Sequence, residues 1–558
     1  MANFLENIFA NLQRAGDRLV LREVRGETFV GVSGKQLLEQ VANVRAYLRQ
    51  SGVHPGDRCA VLGANSIEWA AIDLALMAEG AVVVPLYSRQ APAELVVMMR
   101  DSAPRLLFVG DAPLGDAIAQ IWPELPQRVL FSEAVASQVA GTGIPGPPNL
   151  RRSEDLLTII YTSGTSGDPK GVCLTTANLD HMLSCTTTRL DQLMEGQKEP
   201  DRIFHYLPFS FAGSWILLLS SLHRTSTLTL STDLNKLADE IRLSAPHYFM
   251  NVPTLLERVR RGVEEAISKR DSLSRAVYRN ARSAWERQDD GKSVLLESFW
   301  ILIGKKLIFS KIRERFGPHL KALICGSAPL ASETQRFFHM MGIPVLQAYG
   351  LTETTGICTM DDPRGSSEPG RVGVSIPGIE MKAGEDQEII VRGPNIFPGY
   401  WNRPEDTAKV LRDGWFHTGD QGEVNSHGNW RISGRIKNLI ILNSGHNIGP
   451  EPIEERIAEQ LPGTQQIVVV GNGRGYLCAL VTGAADSGAV QAALHTVNSE
   501  LPHYRQVRNF TILKDIFTPE SGLLTANGKL RRDVINSRYQ TEIESMYSKN
   551  AAAAGGGS

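Results

Sequence analysis

The sequence contains few cysteines, and their spacing matches no cross-linking or metal-binding pattern. There are six in 558 residues, all far apart, with no Cys-x-x-Cys pair. Disulfide frameworks and structural zinc sites need closely grouped ligands, so the pattern argues against both. It favours a reducing compartment, and we expect a cytoplasmic protein.

Long apolar runs and an excess of one charge are also lacking. No segment approaches the roughly 20 apolar residues of a membrane span, and the N-terminus becomes polar too early for a signal peptide. The 58 basic and 60 acidic residues give a net charge of −2. No overall field attracts nucleic acid, so we predict neither a nucleic-acid partner nor a transmembrane segment. Peripheral membrane contact and the oligomeric state stay open.

The length exceeds what one hydrophobic core usually supports, so several domains are expected. Up to about residue 380, short apolar strands alternate with helical patterns, which indicates an α/β fold with largely parallel sheets. Between 384 and 434 the pattern changes to short strands separated by turns, and an α+β pattern follows. We predict an N-terminal domain of several subdomains, one of them β-rich, over 1–434 and a small α+β domain over 435–549. Residues 550–558 are interpreted as a linker.

One glycine-rich and hydroxyl-rich loop, TSGTSGDPKG, follows the predicted strand LLTIIY. Its backbone N–H groups, hydroxyls and lysine suit phosphate oxygens. It is not a Walker A loop, because a glycine follows the lysine and VCLT is predicted to be another strand. The candidate phosphate-binding residues are Thr162, Ser163, Gly164, Thr165, Ser166, Gly167 and Lys170.

Seven motifs in order give the chain a resemblance to the adenylate-forming superfamily of acyl-CoA synthetases, peptide-synthetase adenylation domains and luciferases. The first is the loop just described. The others are HYLPFSFAGSW (205–215), GSAPL (326–330), QAYGLTETTG (347–356), WFHTGDQG (415–422), GRIKNLIILNSGHNIGPEPIE (434–454) and LTANGKLRR (524–532). The resemblance implies activation of a carboxylic acid by ATP, with release of pyrophosphate, and transfer of the acyl group to a thiol.

The resemblance also implies a nucleotide site. Tyr349 would stack on adenine, and Asp420 would accept hydrogen bonds from both ribose hydroxyls. Arg435 would support the ribose or phosphates, or alternatively form an interdomain ion pair. The further residues implied for nucleotide binding are Gly326, Ser327, Ala328, Gln347, Gly350 and Ile432.

Catalysis in such enzymes is electrostatic and needs no covalent nucleophile. The resemblance assigns Lys529 to the reacting carboxylate and α-phosphate. Glu353, beside Thr352, is a hard oxygen ligand suited to Mg²⁺ on the ATP phosphates, with the Thr162 hydroxyl as a second candidate ligand. We therefore expect Lys529, Glu353 and Thr352 to be catalytic, and ATP and Mg²⁺ to be required.

The C-terminal domain is expected to move, because its first motif resembles the hinge of the superfamily. Lys437 matches the pivot position, although Asn438 follows it where many relatives have Asp. Gly445 resembles the turn that lines the channel for the pantetheine arm of CoA. CoA is therefore the favoured acceptor, with an acyl carrier protein second and a non-catalytic nucleotide-binding relative last.

The region between Ala281 and Leu330 resembles long-chain acyl-CoA synthetases, which favours a fatty or other hydrophobic acid. Two candidate acyl-binding residues lie in the aromatic motif. Phe211 stands where many relatives have His, so an aromatic gate or packing role remains for it. Trp215 fits either the mouth of an acyl tunnel or the protein core.

Overall fold

The structure, a computed structural model, describes residues 3–136, 148–149, 152–163, 169–224, 226–289, 295–365, 367–461, 464–483, 486–518, 521–525 and 528–554. In these residues the strands of the first half are β1 (Leu19–Arg25), β2 (Thr28–Ser33), β3 (Arg58–Gly63), β4 (Val82–Tyr87), β5 (Leu106–Val109), β6 (Gln127–Leu130), β7 (Leu156–Ser163), β8 (Pro169–Thr175), β9 (Asp201–His205), β10 (Ser226–Leu230) and β11 (Tyr248–Asn251). Those of the second half are β12 (Ala322–Cys325), β13 (Val345–Tyr349), β14 (Thr359–Met360), β15 (Val374–Ser375), β16 (Glu380–Ala383), β17 (Glu388–Arg392), β18 (Gly399–Tyr400), β19 (Leu411–Arg412), β20 (Trp415–Val424), β21 (Trp430–Arg435), β22 (Ile440–Ile441), β23 (Asn447–Ile448), β24 (Thr464–Val470), β25 (Leu477–Gly483) and β26 (Val507–Leu513).

The helices connect these strands and cover the sheets. In chain order they are α1 (Phe4–Ala15), α2 (Gly34–Gln50), α3 (Ile67–Glu79), α4 (Pro92–Ser102), α5 (Ala112–Ile121), α6 (Phe131–Ala136), α7 (Thr176–Leu193), α8 (Ala212–His223), α9 (Leu237–Ser244), α10 (Pro253–Ser268), α11 (Ser272–Asp289), α12 (Leu295–Gly304), α13 (Ser310–Arg313), α14 (Ser332–Met340), α15 (Pro404–Val410), α16 (Glu451–Gln460), α17 (Ser487–Ser499), α18 (Arg532–Arg538) and α19 (Gln540–Ala554). A π-helical turn, Lys305–Phe309, follows α12.

Two large, mainly parallel sheets form the N-terminal part. The first has the strand order β18-β8-β7-β4-β3-β5-β6, and the second β15-β14-β13-β12-β11-β9-β10-β1-β2. Strands such as VVVPLY in β4 and ALIC in β12 are apolar along their whole length, because helices or other layers cover both faces of such sheets. The predicted α/β class with parallel sheets is confirmed.

A third, antiparallel sheet matches the predicted β-rich region. Its order is β16-β17-β20-β19, and β21 pairs with β20. The turns after β16, β19 and β20 are short, which explains why the sequence in this region is broken by Gly, Asn and Asp. This sheet ends at Arg435, where the predicted C-terminal domain begins.

The C-terminal part contains the β22-β23 hairpin, a sheet of order β24-β25-β26 and four helices, α16 to α19. Its apolar cluster, which includes Ile457, Val469 and Leu477, is separate from the N-terminal clusters. The last helix continues to Ala554, beyond the predicted boundary at residue 549, since alanine is the strongest helix former. None of the helices in the described residues has the length and apolar character to cross a membrane.

Candidate active site

The two ends of the predicted phosphate loop lie in β7 and β8, which pair as an antiparallel hairpin. Thr162 lies opposite Lys170, and Ser163 lies opposite Pro169. The strand predicted for VCLT is present, so the loop returns to the sheet where a Walker loop would enter a helix. Four of the candidates lie outside the described residues: Gly164, Thr165, Ser166 and Gly167.

The lysine of this loop is held by an acidic side chain from elsewhere in the chain. Nζ of Lys170 lies 3.0 Å from Oδ2 of Asp406 and 5.3 Å from the centre of the Tyr400 ring. The hydrogen bond from Lys170 lowers the pKa of Asp406 to about 2. Lys170 is therefore oriented at the base of the loop, with its charge partly balanced before any phosphate binds.

Glu353 is positioned beside the same hairpin. It lies in a short 3₁₀ turn that begins at Thr352, directly after β13. The Tyr400 hydroxyl donates to Oε1 of Glu353 at 2.9 Å, and the Glu353 carbonyl accepts from the N–H of Phe397. Burial and the neighbouring carboxylate raise the pKa of the Tyr400 phenol, so the phenol stays protonated and continues to donate. The carboxylate of Glu353 is thus held at Oε1, while its other oxygen has no hydrogen-bond partner among the described residues.

Asp420 is the most firmly held carboxylate of the site. Its side chain is 3% exposed on β20. Oδ2 accepts from the Tyr349 hydroxyl at 2.9 Å, and Oδ1 forms an ion pair with Nε of Arg435 at 2.8 Å. Arg435 is its direct neighbour across the β20-β21 pair. Each carboxylate oxygen keeps a second lone pair, so two ligand hydroxyls could still be accepted.

This geometry bears on the two interpretations of Arg435, of which the support of the ribose or phosphates stays a prediction. Its charged partner is Asp420 of the same β-rich sheet, so the interdomain ion pair is not what the structure shows. Ile432, also on β21, packs together with Tyr349 against one apolar cluster. Desolvation, and then the charge of Asp420, raise the pKa of Tyr349 well above its ordinary value.

The predicted adenine-side residues follow the ends of β12 and β13. Ser327 has a φ of 73°, and both it and Ala328 are exposed. The N–H of Gly326 donates to the Asn251 carbonyl. A Cβ at Gly350 would lie 2.4 Å from the Gly356 carbonyl oxygen, so only glycine allows the chain to turn from β13 into the Glu353 segment.

Gln347 lies deeper than a nucleotide-contacting side chain would. It is 3% exposed, and its side-chain amide donates to Oε1 of Gln335 at 2.7 Å. Its backbone N–H donates to the buried carboxylate of Asp361. These contacts hold β13 against α14, and they give no support to the predicted nucleotide contact, which stays a prediction.

Lys529 reaches the same cleft from the C-terminal part. Its pKa is lowered by the surrounding protein and by the charge of Arg435, while Asp420 and Glu353 act in the opposite direction. Lys529 itself is exposed to solvent. The chain segments predicted to carry the nucleotide, the metal and the catalytic charge therefore face one another.

The predicted hinge lies directly after β21. Lys437 is exposed in a 3₁₀ turn, Ile436–Asn438, and its pKa falls to about 8 through desolvation and the nearby Arg435. The Asn438 amide donates to Oε1 of Glu451 at 2.6 Å. An aspartate at this position would face another carboxylate, which accounts for the departure from the pattern of many relatives.

Gly445 lies away from the contacts described so far. It is exposed in the turn between β22 and β23, with a φ of 83°, and no atom lies within 4 Å of where its Cβ would be. Its predicted role in the CoA channel would require the C-terminal part to reorient.

The two candidate acyl-binding residues differ in position. Phe211 is half-buried at the start of α8, with its ring 5.5 Å from that of Tyr87. Trp215 is only 1% exposed, and its indole N–H donates to Oδ2 of Asp73 at 2.8 Å. A side chain without free surface does not form an open tunnel mouth, so the structure corrects the gate interpretation in favour of the core.

The sequence analysis missed Tyr400 and Asp406. Their segment, GYWNRPED, lies within the predicted β-rich region of short strands and turns, where no site residue was predicted before 420. Tyr400 lies in β18, which pairs with β8, and this pairing brings the segment to the phosphate hairpin. More than two hundred residues separate the two strands, and no local pattern indicates such a pair.

Comparison with known proteins agrees with this arrangement. The profile of a family described as AMP-binding enzyme matches residues 8–401, and that of the AMP-binding enzyme C-terminal domain matches residues 437–551. The chain belongs to the AMP-binding enzyme family. Residues 402–436 lie between the two matched regions, and the second region begins at the predicted hinge residue, Lys437.

Similar members of the AMP-binding enzyme family cover nearly the whole chain. The long-chain-fatty-acid–CoA ligase FadD15 of Mycobacterium bovis is 27% identical, over 98% of this chain and 97% of its own. The chloroplastic long-chain-fatty-acid–[acyl-carrier-protein] ligase AEE15 of Arabidopsis thaliana is 26% identical, over 97% and 86%. The ATP-bound structure of MatB from Rhodopseudomonas palustris is 25% identical with a TM-score of 0.73, over 96% and 99%.

Proposed function

We propose that the protein is an AMP-forming acyl-CoA synthetase that activates a fatty or other hydrophobic acid. The carrying observation is that Glu353, Tyr400 and Lys170 lie together beside the phosphate hairpin, and that the charges of Asp420 and Glu353 act on Lys529 of the C-terminal part. Membership of the AMP-binding enzyme family and similarity to a fatty-acid–CoA ligase support the reaction class.

In the first half-reaction, a carboxylate oxygen of the acid attacks the α-phosphorus of ATP, and the bond to the β-phosphate breaks to release pyrophosphate. Two anions must meet, so positive charge at the reacting oxygens is the main requirement. Lys529 supplies it at the carboxylate and α-phosphate, and Lys170 supplies it at the phosphate loop. Asp420 and Tyr349 hold the ribose and the adenine, which fixes the α-phosphate in position.

The oxygen donors of the site fit Mg²⁺. Glu353 has one oxygen occupied by the Tyr400 hydroxyl and one available, and the Thr162 hydroxyl lies at the start of the phosphate hairpin. Magnesium in nucleotide sites takes one or two protein oxygens and completes its shell with phosphates and water. When bound, it would neutralise phosphate charge.

In the second half-reaction, the sulfur of CoA attacks the acyl carbonyl, the bond between that carbon and the phosphate oxygen breaks, and AMP leaves. Lys529 has no role in this step. Gly445 would have to replace the Lys529 loop at the cleft, and rotation about Lys437 would bring it there.

The decisive experiment has two parts. ATP–pyrophosphate exchange across a panel of acids measures adenylation alone, and we expect exchange that depends on a long apolar acid. Thioester formation with CoA is then measured using the best acid. No acid-dependent exchange with any acid would contradict the proposal.

An acyl carrier protein is the second candidate acceptor, favoured by the similarity to AEE15. The same acid is offered with CoA or with holo-acyl carrier protein in parallel reactions. Faster transfer to the carrier would replace the CoA assignment and leave the adenylation step intact. The cytoplasmic location stays a prediction.

A further inference from the structure

An exposed apolar surface is formed by α12 and the π-helical turn that follows it. Phe299 and Leu302 of α12 are 56% and 66% exposed, and Leu307 in the next turn is 52% exposed. We call these three residues, with Lys305 and Lys306, the α12 surface. Large apolar side chains are rarely this exposed in groups unless the surface binds something.

The opposite side of this helix is anchored in the protein. Ile301 and Phe309 are buried, and a Cβ at Gly304 would lie 2.6 Å from the Cβ of Ala281 on α11. Apart from Ser298, the residues from 298 to 304 are all apolar or glycine. A helix that is apolar on all sides is expected to be buried on all sides. In α12 the side that carries Ile301 is covered by protein, whereas Phe299 and Leu302 are exposed to solvent.

The charge of this segment contrasts with the rest of the chain. From Ser298 to Arg313 the sequence contains Lys305, Lys306, Lys311 and Arg313 but no Asp or Glu, while the whole chain has a net charge of −2. The three lysines are exposed. Within the part of the chain that the structure describes, none of them forms an ion pair. Their charge is therefore available to an anionic partner.

We propose that the α12 surface docks on an anionic lipid bilayer. Phe299 and Leu302 lie at positions i and i+3 on one face of α12, and the exposed Lys305, Lys306 and Leu307 follow directly in the π-helical turn, so apolar and cationic groups are neighbours on this surface. Helices that lie in the membrane interface combine these groups, and lysines near them are attracted by anionic headgroups. Protein interfaces, by contrast, are depleted in lysine at their centre. The charge pattern favours the bilayer.

The inference is independent of the proposed reaction, although the two are compatible. Hydrophobic acids partition into bilayers, so docking would bring the enzyme to them. Adenylation of an acid presented in solution should not depend on the α12 surface.

The test is co-sedimentation of the full chain with phosphatidylcholine vesicles, with and without phosphatidylglycerol. We expect binding that requires phosphatidylglycerol and weakens in high salt, because salt screens the lysines. The double variant Lys305→Gln/Lys306→Gln should bind about 25-fold more weakly, at about fivefold for each charge. Phe299→Ser/Leu302→Ser should lose more than about tenfold through the lost apolar contact.

Matched controls carry the same changes elsewhere. Leu234→Ser removes an apolar side chain that is 43% exposed on another surface, and Lys198→Gln removes an exposed lysine. Both should bind vesicles like the wild type, and pyrophosphate exchange with a dissolved acid should be unchanged in all four variants.

Three outcomes would overturn the proposal. The first is no sedimentation with either vesicle. The second is equal binding to both vesicle types that the lysine variant does not change. The third is a dimer, detected by light scattering, that Phe299→Ser/Leu302→Ser dissociates without any effect on vesicles, which would assign the surface to a second copy of the chain.

Discussion

Asp420 and Lys529 face the same cleft, but the protein holds the two side chains very differently. Asp420 is buried on a strand, and both of its oxygens have a partner: one accepts a hydrogen bond from Tyr349 and the other forms an ion pair with Arg435. The Lys529 ammonium is exposed and, within the described residues, has no hydrogen-bond or ion-pair partner. Only its backbone is fixed, through hydrogen bonds with Thr525.

The difference fits two separate tasks. A nucleotide site gains from preorganised partners, because they need no rearrangement when the substrate binds. A charge that serves one of two steps must be able to leave, so strong contacts would hinder it. Beside Lys529, an ion pair joins the C-terminal part to the N-terminal part: Nη1 of Arg531 lies 3.3 Å from Oε1 of Glu94. Both side chains are partly exposed, so this contact is weak.

The largest expected effect comes from removing the mobile charge. Lys529→Ala should lower the rate of adenylation by about 10²–10³, corresponding to about 3–4 kcal/mol of transition-state stabilisation. Conversion of supplied acyl-adenylate to thioester should stay near the wild-type rate. Pyrophosphate release and thioester formation measure the two steps, and Lys514→Ala, an exposed lysine of the same domain, is the control. Normal adenylation by Lys529→Ala would remove this residue from the site.

The pH dependence of adenylation sharpens the same point. The pKa of Lys529 is lowered, mainly by the surrounding protein, and the protonated form is the active one. Adenylation should therefore fall as the pH rises through this pKa, at lower pH than for an ordinary lysine with a pKa of about 10.4. Lys529→Arg should remove the alkaline fall while keeping a low rate. The pKa of Lys437 is also lowered, to about 8, so its titration could cause a loss of activity at alkaline pH. The alkaline fall in adenylation must therefore persist in Lys437→Gln.

Glu353→Gln tests whether the Glu353 carboxylate, which the protein holds in place, binds Mg²⁺. Adenylation should fall on the order of tenfold to a hundredfold, with a higher Mg²⁺ requirement, because a neutral amide is a weaker ligand. Tyr400→Phe removes only the hydrogen bond to this carboxylate and should have a smaller effect of the same kind. An unchanged magnesium dependence in both variants would show that Glu353 is not a ligand.

Lys437→Pro tests whether the C-terminal part rotates about this residue between the two half-reactions. Proline fits the φ of a 3₁₀ turn, so it should preserve the conformation described here and restrict departure from it. Adenylation should stay nearly normal, and thioester formation should slow by about tenfold or more. Equal losses in both steps, or in neither, would argue against a hinge at this residue.

The smallest effect is expected at the ion pair between Glu94 of the N-terminal part and Arg531 of the C-terminal part. Glu94→Gln removes an ion pair that is partly exposed, and such pairs contribute about 0.2–1 kcal/mol. Adenylation should therefore fall less than about fivefold, without a change in the affinity for ATP. The double variant Glu94→Gln/Arg531→Gln should be no worse than either single variant, since the two residues act as one pair. Additive losses would show that each has a separate role.

Much of the molecule follows from local sequence patterns. Continuous apolar strands predicted parallel sheets, and the TSGTSGDPKG loop between two strands predicted the phosphate hairpin. The glycine of the HTGD motif also fits its backbone, because Gly419 has a φ of 68° within β20, a conformation that favours glycine. These features depend on a few neighbouring residues, which the sequence displays directly.

The partners of the site residues were decided only by the tertiary structure. Tyr400 and Asp406 join the phosphate hairpin through the β18-β8 pairing, and Trp215 is buried because α8 packs where Asp73 can accept from its indole. Even the Asp420–Arg435 pair depends on the register of β20 and β21. Hydrogen bonds and ion pairs act over a few ångströms in space, whatever the separation along the chain, so residue types alone predicted the chemistry but not which side chains would meet.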